Sequence, residues 1–253
     1  MRLLVTRPAS QAEEWVQRLV AAGIDAVALP LIGIEPPADA DAVRAAWGCL
    51  AAYRLVVFVS PNAAEQFMRA APAGVRWPPA TQAGSIGPGT TRALQRLGVP
   101  AACIVEPDAA APQFDSEALW AQLAPADWPG ARVLVVRGDG GREWLAETLR
   151  THGAEVSLLA AYRRAAPRLD ASSQALLQAA LDRPHEHLWF FSSSEAIDHL
   201  AALAGPSAPW ARSRALATHP RIAARAEALG FGRVTLSRPT LPEVCACIQS
   251  MPP

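Results

Sequence analysis

The chain has 253 residues, of which 51% are hydrophobic and 18% charged. That balance excludes a disordered chain and provides core for one large domain or two smaller ones. The 23 basic and 23 acidic residues cancel, so no global field draws in nucleic acid or an anionic membrane.

Every basic residue is an arginine, since the sequence contains no lysine. Schiff-base and P-loop lysine chemistry are thereby excluded. The tool left for anions is the forked guanidinium. Among Cys49, Cys103, Cys245 and Cys247 no pair has C-x-x-C spacing, so neither a zinc site nor a disulfide framework is expected. His185 and His187 have no acidic or cysteine cluster beside them and read as a strand entry. The chain runs straight from Met1-Arg2 into apolar Leu3-Leu4-Val5 with no signal peptide, and no apolar run approaches membrane-spanning length. A soluble, cytoplasmic protein is expected.

Short apolar runs alternate with amphipathic segments. Leu3 to Thr6 reads as a buried strand. Ser10-Gln11-Ala12-Glu13 has the form of a capping box, with Trp15, Val16 and Leu19 on one helix face and Gly23 as the stop. Ile24 to Leu29 is the next strand. Further strands follow at Leu55 to Val59, Ala83 to Ile86, Ala101 to Val105, Val133 to Val136, Val156 to Ala160, Leu188 to Phe191, Arg214 to Ala217 and Val234 to Leu236. Thr240-Leu241-Pro242-Glu243 opens a last helix with a second capping box. About ten strands with intervening helices predict parallel α/β sheets.

The chain also repeats itself. Arg2 to Arg7 matches Arg132 to Arg137, and Gly23 matches Gly153, both at an offset of 130. Val57 to Ala64 matches Trp189 to Ala196, Gly87-Pro88 matches His219-Pro220, and Gly98 matches Gly230, all at an offset of 132. A duplicated α/β half predicts two similar domains with a ligand cleft between them.

The repeated motifs lie where a strand ends and a helix begins, where free N–H groups and the helix dipole face the mouth of the sheet. Ser60-Pro61-Asn62 offers a hydroxyl, a helix-starting proline and an amide. Ser192-Ser193-Ser194 offers three hydroxyls at the matching place. Gly87-Pro88-Gly89-Thr90-Thr91 brings close backbone approach and two hydroxyls. His219-Pro220-Arg221 replaces them with an imidazole and a guanidinium. Such turns suit anionic groups, although helix capping explains any one of them alone. Arg137-Gly138-Asp139-Gly140-Gly141-Arg142-Glu143 invites a dinucleotide reading, but Glu143 replaces the third glycine of the fingerprint. An anion-binding or interdomain loop fits better. Tyr53 reads as packing. Tyr162, followed by Arg163-Arg164, is a phenol flanked by guanidiniums that can serve as a proton donor or as a packed linker residue.

Taken together, Leu4-Val5-Thr6-Arg7-Pro8, Phe58 to Ala63, Ile86 to Thr91, Arg137 to Glu143 and Tyr162-Arg163 resemble the uroporphyrinogen-III synthase family along the whole chain. The resemblance implies two Rossmann-like, flavodoxin-like parallel-sheet domains joined by a two-stranded linker. It assigns residues 1–36 with 165–253 to one domain and 37–164 to the other, with crossings near 31–37 and 161–167. It implies ring closure of hydroxymethylbilane, a linear tetrapyrrole with eight carboxylates, with loss of water, inversion of ring D and no cofactor. Tyr162 matches the family tyrosine thought to help the hydroxyl depart. The substrate-binding candidates are Arg7, Ser60, Asn62, Gly87, Pro88, Thr90, Thr91, Arg137, Gly138, Ser192, Ser193, Ser194, His219 and Arg221. Relatives carry Gly-Pro-Thr-Thr where this chain has His219-Pro220-Arg221-Ile222, which makes Arg221 a candidate for a propionate. No metal, nucleic-acid or membrane partner is implied, and a monomer is expected. The other readings are a nucleotide- or sugar-phosphate-dependent α/β transferase using Gly140-Gly141, and a non-catalytic two-domain anion-binding protein.

Overall fold

A computed structural model of the protein describes residues 1–251. In chain order it begins β1 (Arg2–Val5), α1 (Ala9–Ala21), β2 (Ala26–Ala28), β3 (Gly33–Glu35), α2 (Ala40–Gly48), β4 (Leu55–Phe58) and α3 (Pro61–Arg69). It continues β5 (Gln82–Ser85), α4 (Pro88–Arg96), β6 (Ile104–Val105), α5 (Ser116–Leu123), β7 (Arg132–Gly138), α6 (Trp144–Thr151) and β8 (Glu155–Ala165). It ends α7 (Ala171–Asp182), β9 (His187–Phe191), α8 (Ser194–Ala204), β10 (Arg214–Ala217), α9 (Pro220–Leu229), β11 (Arg233–Leu236) and α10 (Leu241–Gln249).

The chain forms two compact units. One comprises Met1–Gly33 and the chain from Ala165 onward, and the other Ile34–Arg164. Their sheets run β2-β1-β9-β10-β11 and β3-β8-β7-β4-β5-β6. The ladders from β2 to β11 and from β8 to β6 are parallel. The first order is the flavodoxin-like 2-1-3-4-5, and the second, apart from β3, is the same order circularly permuted, with β7 and β8 in the places of strands 1 and 2.

The repeat explains this equivalence. β7 repeats β1, and β9 repeats β4. The first unit therefore takes its first two strands from the first repeat and its other three from the second. The second unit takes β4 to β6 from the first repeat and β7 and β8 from the second. The halves exchange strands, so a repeat is not a spatial unit. The chain crosses within β3 and returns within β8, which are neighbours in one sheet. A side chain at Gly33 would sit 3.2 Å from the carbonyl oxygens of Ala165 and Ala166, so glycine permits the close approach of the two crossings.

Burial follows from the parallel pairing, in which both faces of a strand are covered. Leu55 and Val57 of β4 pack with Leu119, Trp128, Leu145 and Leu149 on one face. Val56 and Phe58 pack with Trp47, Phe67 and Trp77 on the other. In the first unit Leu3, Val5, Trp15, Leu188 and Phe190 share a core with Val244 of α10. Trp189 and Phe191 stack on the opposite face of β9, and Phe231 lies edge-on to Phe191.

Some local expectations change. Ser10 does not cap α1, which starts two residues earlier after Pro8, with no side-chain cap bond. Proline presets the helical entry where its missing N–H costs nothing. Thr240 does hold the N-cap position of α10 but makes no side-chain cap bond. The expected strand at Ala101 to Val105 is a 3₁₀ turn over Ala101–Cys103 followed by the two-residue β6.

Candidate functional site

In an open parallel sheet, ligands meet the carboxyl ends of the strands where the strand order reverses. That point lies between β7 and β4 in the second unit and between β1 and β9 in the first. The candidate residues lie at the carboxyl ends of these strands and of their neighbours β5 and β10, unit by unit.

In the second unit Ser60 caps α3. Its Oγ accepts the Ala63 N–H at 3.1 Å, and Pro61 takes the first helical position. Asn62 is buried behind it. The Ser60 Oγ also lies 3.1 Å from the hydroxyl of Tyr162. Tyr162 is 1% exposed and belongs to the core around Phe58. It reaches that face because the ladder slips: Arg137 pairs Ala160, yet Gly138 pairs Tyr162. The extra residue is Ala161, and such a bulge re-aims the next side chain. The ring then covers Gly138 so closely that a Cβ there would meet Tyr162 Cε2 and Cζ at 3.1 Å. Of the expected flanking guanidiniums, that of Arg163 is directed elsewhere. Arg163 donates to Glu35 at 3.2 Å and to the Pro36 carbonyl at 3.3 Å. The main-chain N–H of Arg164 donates to Asp139 at 3.4 Å.

Arg137 is 8% exposed and grips its own loop. Its guanidinium donates to the Gly141 carbonyl at 2.8 Å and to Glu143 at 3.1 Å. Gly141 has φ +126°, a conformation that requires glycine. Arg142 pairs with both oxygens of Glu117, which holds its guanidinium above the usual arginine range by hydrogen bonding. The Gly140-Gly141 turn is thus braced from within by an arginine, and α6 begins only at Trp144. This geometry counts against a phosphate cradle there.

At the end of β5, Gly87 leaves no room for a side chain beside Phe114, whose Cβ would be 3.1 Å away. Ser85 Oγ donates to the Gly87 carbonyl at 2.9 Å. The Thr91 hydroxyl lies 2.9 Å from Ser85 Oγ and 2.5 Å from a Glu106 oxygen. Thr90 and Thr91 are 3% and 7% exposed. The two hydroxyls expected to face a ligand are therefore buried, and that of Thr91 is already engaged. Pro88 starts α4. Tyr53, read as packing, is buried with the Arg132 guanidinium 4.9 Å over its ring, and burial pushes its phenol pKa up.

In the first unit the guanidinium of Arg7 lies 4.9 Å over Trp15 and 5.7 Å over Phe190. Aromatic faces hold a guanidinium in place by cation–π attraction. Ser193 occupies the N-cap of α8 without a side-chain cap bond, with Ser192 and Ser194 half-buried on either side. His219 caps α9: its Nδ1 accepts the Arg221 N–H at 3.1 Å. That nitrogen is therefore an acceptor and cannot donate to a carboxylate. Arg221 itself is exposed.

Sequence reasoning missed Ser85, Glu106 and the bulge at Ala161. It also missed His199, whose Nδ1 lies 2.7 Å from the Leu31 carbonyl. None belongs to a repeated motif, which was the signal followed. The four cysteines are free thiols. Among the described residues no helix is long and apolar enough to cross a membrane.

The chain matches the family model of uroporphyrinogen-III synthase HemD over residues 13–245. It is 35% identical over 193 residues to the uroporphyrinogen-III synthase of Salmonella typhimurium, covering 70% of each chain. It is 30% identical over 177 residues to that of Escherichia coli, again covering 70% of each. The crystal structure of uroporphyrinogen-III synthetase from Helicobacter pylori is similar with a TM-score of 0.59 at 14% identity, covering 99% of both chains. A mutant uroporphyrinogen III synthase structure from Thermus thermophilus gives 0.54 at 18% identity, covering 98% of this chain and 96% of that one. At these identities the two structures speak for the fold, while the family model and the sequence relatives speak for descent. The chain belongs to the uroporphyrinogen-III synthase family.

Proposed function

We propose that this protein is a uroporphyrinogen-III synthase: a cyclising hydro-lyase that closes hydroxymethylbilane with inversion of ring D and release of water. The observation that carries this reading is the family match over residues 13–245. The reaction has no net redox change, so it needs no electron carrier. It acts on a free small molecule, which suits a cytoplasmic monomer without nucleic-acid or membrane partners and with no net charge.

The chemistry of the candidate residues supports the reading. A substrate with many carboxylates needs many donors, and charge-assisted bonds to N–H, hydroxyl and guanidinium groups are the strong ones. Arg7, Ser192, Ser193, Ser194 and Arg221 offer these in the first unit, and Ser60 with the first turns of α3 and α4 in the second. Arg137 and Gly138 act here by holding shape: one braces the loop and the other makes room for the Tyr162 ring. Once the hydroxyl leaves, the substrate is reactive. The protein's main task is then to hold the reacting carbons close and exclude water. Tyr162 and its hydroxyl partner assist the departure.

The test is kinetic. Catalytic amounts of the protein should accelerate loss of hydroxymethylbilane over a protein-free control, saturably and without nucleotide. A rate equal to the control, or one that requires a nucleotide, contradicts the reading and favours the transferase alternative.

A further inference from the structure

Proton counting at the Ser60–Tyr162 pair fixes which hydroxyl faces outward. The two oxygens are 3.1 Å apart and share one hydrogen. Tyr162 is 1% exposed, and among the described residues Ser60 is its hydrogen-bond partner. If Ser60 donated, the phenol's own proton would have no hydrogen-bond partner among the described residues, and a buried donor left unmade is heavily penalised. Tyr162 therefore donates. Ser60 Oγ then accepts two bonds, from the phenol and from the Ala63 N–H at 3.1 Å. Its lone pairs are both used, and its own O–H is turned to a third direction. Ser60 is also the more exposed of the two and follows β4, beside the reversal point of the sheet.

We propose that Ser60 is the catalytic residue that gives a proton to the departing hydroxyl, and that Tyr162 is a positioning residue acting through it. The proposal rests on the synthase reading. In the step, the C–O bond of the hydroxymethyl group breaks and its electron pair leaves with oxygen. The Ser60 proton joins that oxygen to make water, and the phenol proton moves to Ser60. The pyrrole nitrogen lone pair fills the vacancy at carbon. Ring closure later frees a proton from the attacked pyrrole carbon, which restores the phenol. The Ala63 amide and the positive end of α3 stabilise negative charge on Ser60 Oγ during transfer.

The experiment compares kcat and KM for hydroxymethylbilane in Ser60→Gly, Ser60→Thr, Tyr162→Phe and the Ser60→Gly/Tyr162→Phe double variant. Glycine at an N-cap costs a helix little, so Ser60→Gly keeps its fold, and a thermal melt checks this. Ser60→Gly should lower kcat by about 10²-fold or more, the typical worth of a general acid, with KM nearly unchanged. Ser60→Thr keeps the hydroxyl and most of kcat. Tyr162→Phe loses less, about tenfold, because Ser60 still donates unaided. The double variant should match Ser60→Gly. A Tyr162→Phe loss greater than that of Ser60→Gly overturns the proposal. So do losses that multiply, or a change confined to KM. If the unaltered protein itself fails to accelerate loss of hydroxymethylbilane, it is the synthase reading that fails.

Discussion

A methyl group at Gly138 probes the Tyr162 ring directly. The added Cβ would lie 3.1 Å from Cε2 and Cζ and 3.3 Å from the hydroxyl oxygen. Ordinary contacts between such atoms begin near 3.5 Å, so the ring must retreat by roughly half an ångström. It has nowhere to go, being 1% exposed and packed in the core around Phe58. Overpacking of this kind costs about 1–3 kcal/mol. Stretching the 3.1 Å bond to Ser60 adds about 1 kcal/mol. Gly138→Ala should therefore destabilise the protein by about 2–4 kcal/mol, a fall in Tm of roughly 5–12 °C for a chain of this size. Tryptophan fluorescence during thermal or urea unfolding reads this, and kcat should fall with it. Shortening the clashing partner gives the control: with Tyr162→Leu present, Gly138→Ala should cost much less. A Gly138→Ala protein within about 0.5 kcal/mol of the unaltered one, the ordinary range for a harmless surface change, would refute the argument.

Three further outcomes follow from other parts of the molecule. Gly232→Ala would place a Cβ 2.0 Å from the Ala211 carbonyl oxygen, a backbone clash that also disrupts the bonds from the Gly232 N–H to the Trp210 and Ser213 carbonyls; soluble expression and Tm should drop more than for Gly138→Ala. Arg221→Ala should raise KM for hydroxymethylbilane with kcat held, and an unchanged KM removes Arg221 from carboxylate binding. Asp170 caps α7, and its carboxyl pKa lies below the usual value because it accepts hydrogen bonds from Ser173 and Ser172. A depressed folded-state pKa gives stability that is present above the unfolded value, near pH 4, and is lost as pH falls through the folded one. Asp170→Asn should therefore lower stability at neutral pH, with the deficit shrinking as pH falls below about 4, so that the acid limb of the stability curve flattens; an unchanged acid limb contradicts this.

The fold class was legible because parallel strands buried on both faces read as continuous apolar runs, and Leu55-Val56-Val57-Phe58 is such a run. The repeat carried more, since Arg2 to Arg7 and Arg132 to Arg137 occupy the same slot in their sheets. Which strands share a sheet was not legible from the repeat, because either pairing of the halves gives the same local patterns. β3 is only Gly33-Ile34-Glu35, too short for any periodicity. The start of α1 misled because Ser10 to Glu13 has the capping pattern while Pro8 supplies the entry.

At the candidate site, the turns themselves were legible, since Ser60-Pro61 and His219-Pro220 announce helix starts. The partners of their side chains were not. Alternation from Leu159 and Ala161 sends Tyr162 to the opposite face, and only the bulge reverses it. Thr91 reads as a free hydroxyl until the fold brings Glu106 to it. Arg137 reads as an anion ligand until its loop folds back to meet it. Long-range side-chain pairing of this kind leaves no local pattern in a single sequence.

The most direct measurement is the ring isomer formed. Hydroxymethylbilane is supplied to catalytic amounts of the purified protein, and the oxidised products are separated into type I and type III. Uncatalysed closure gives the uninverted type I ring. Predominantly type III product is the result expected here, and type I alone, at the rate of a protein-free control, would contradict the synthase reading.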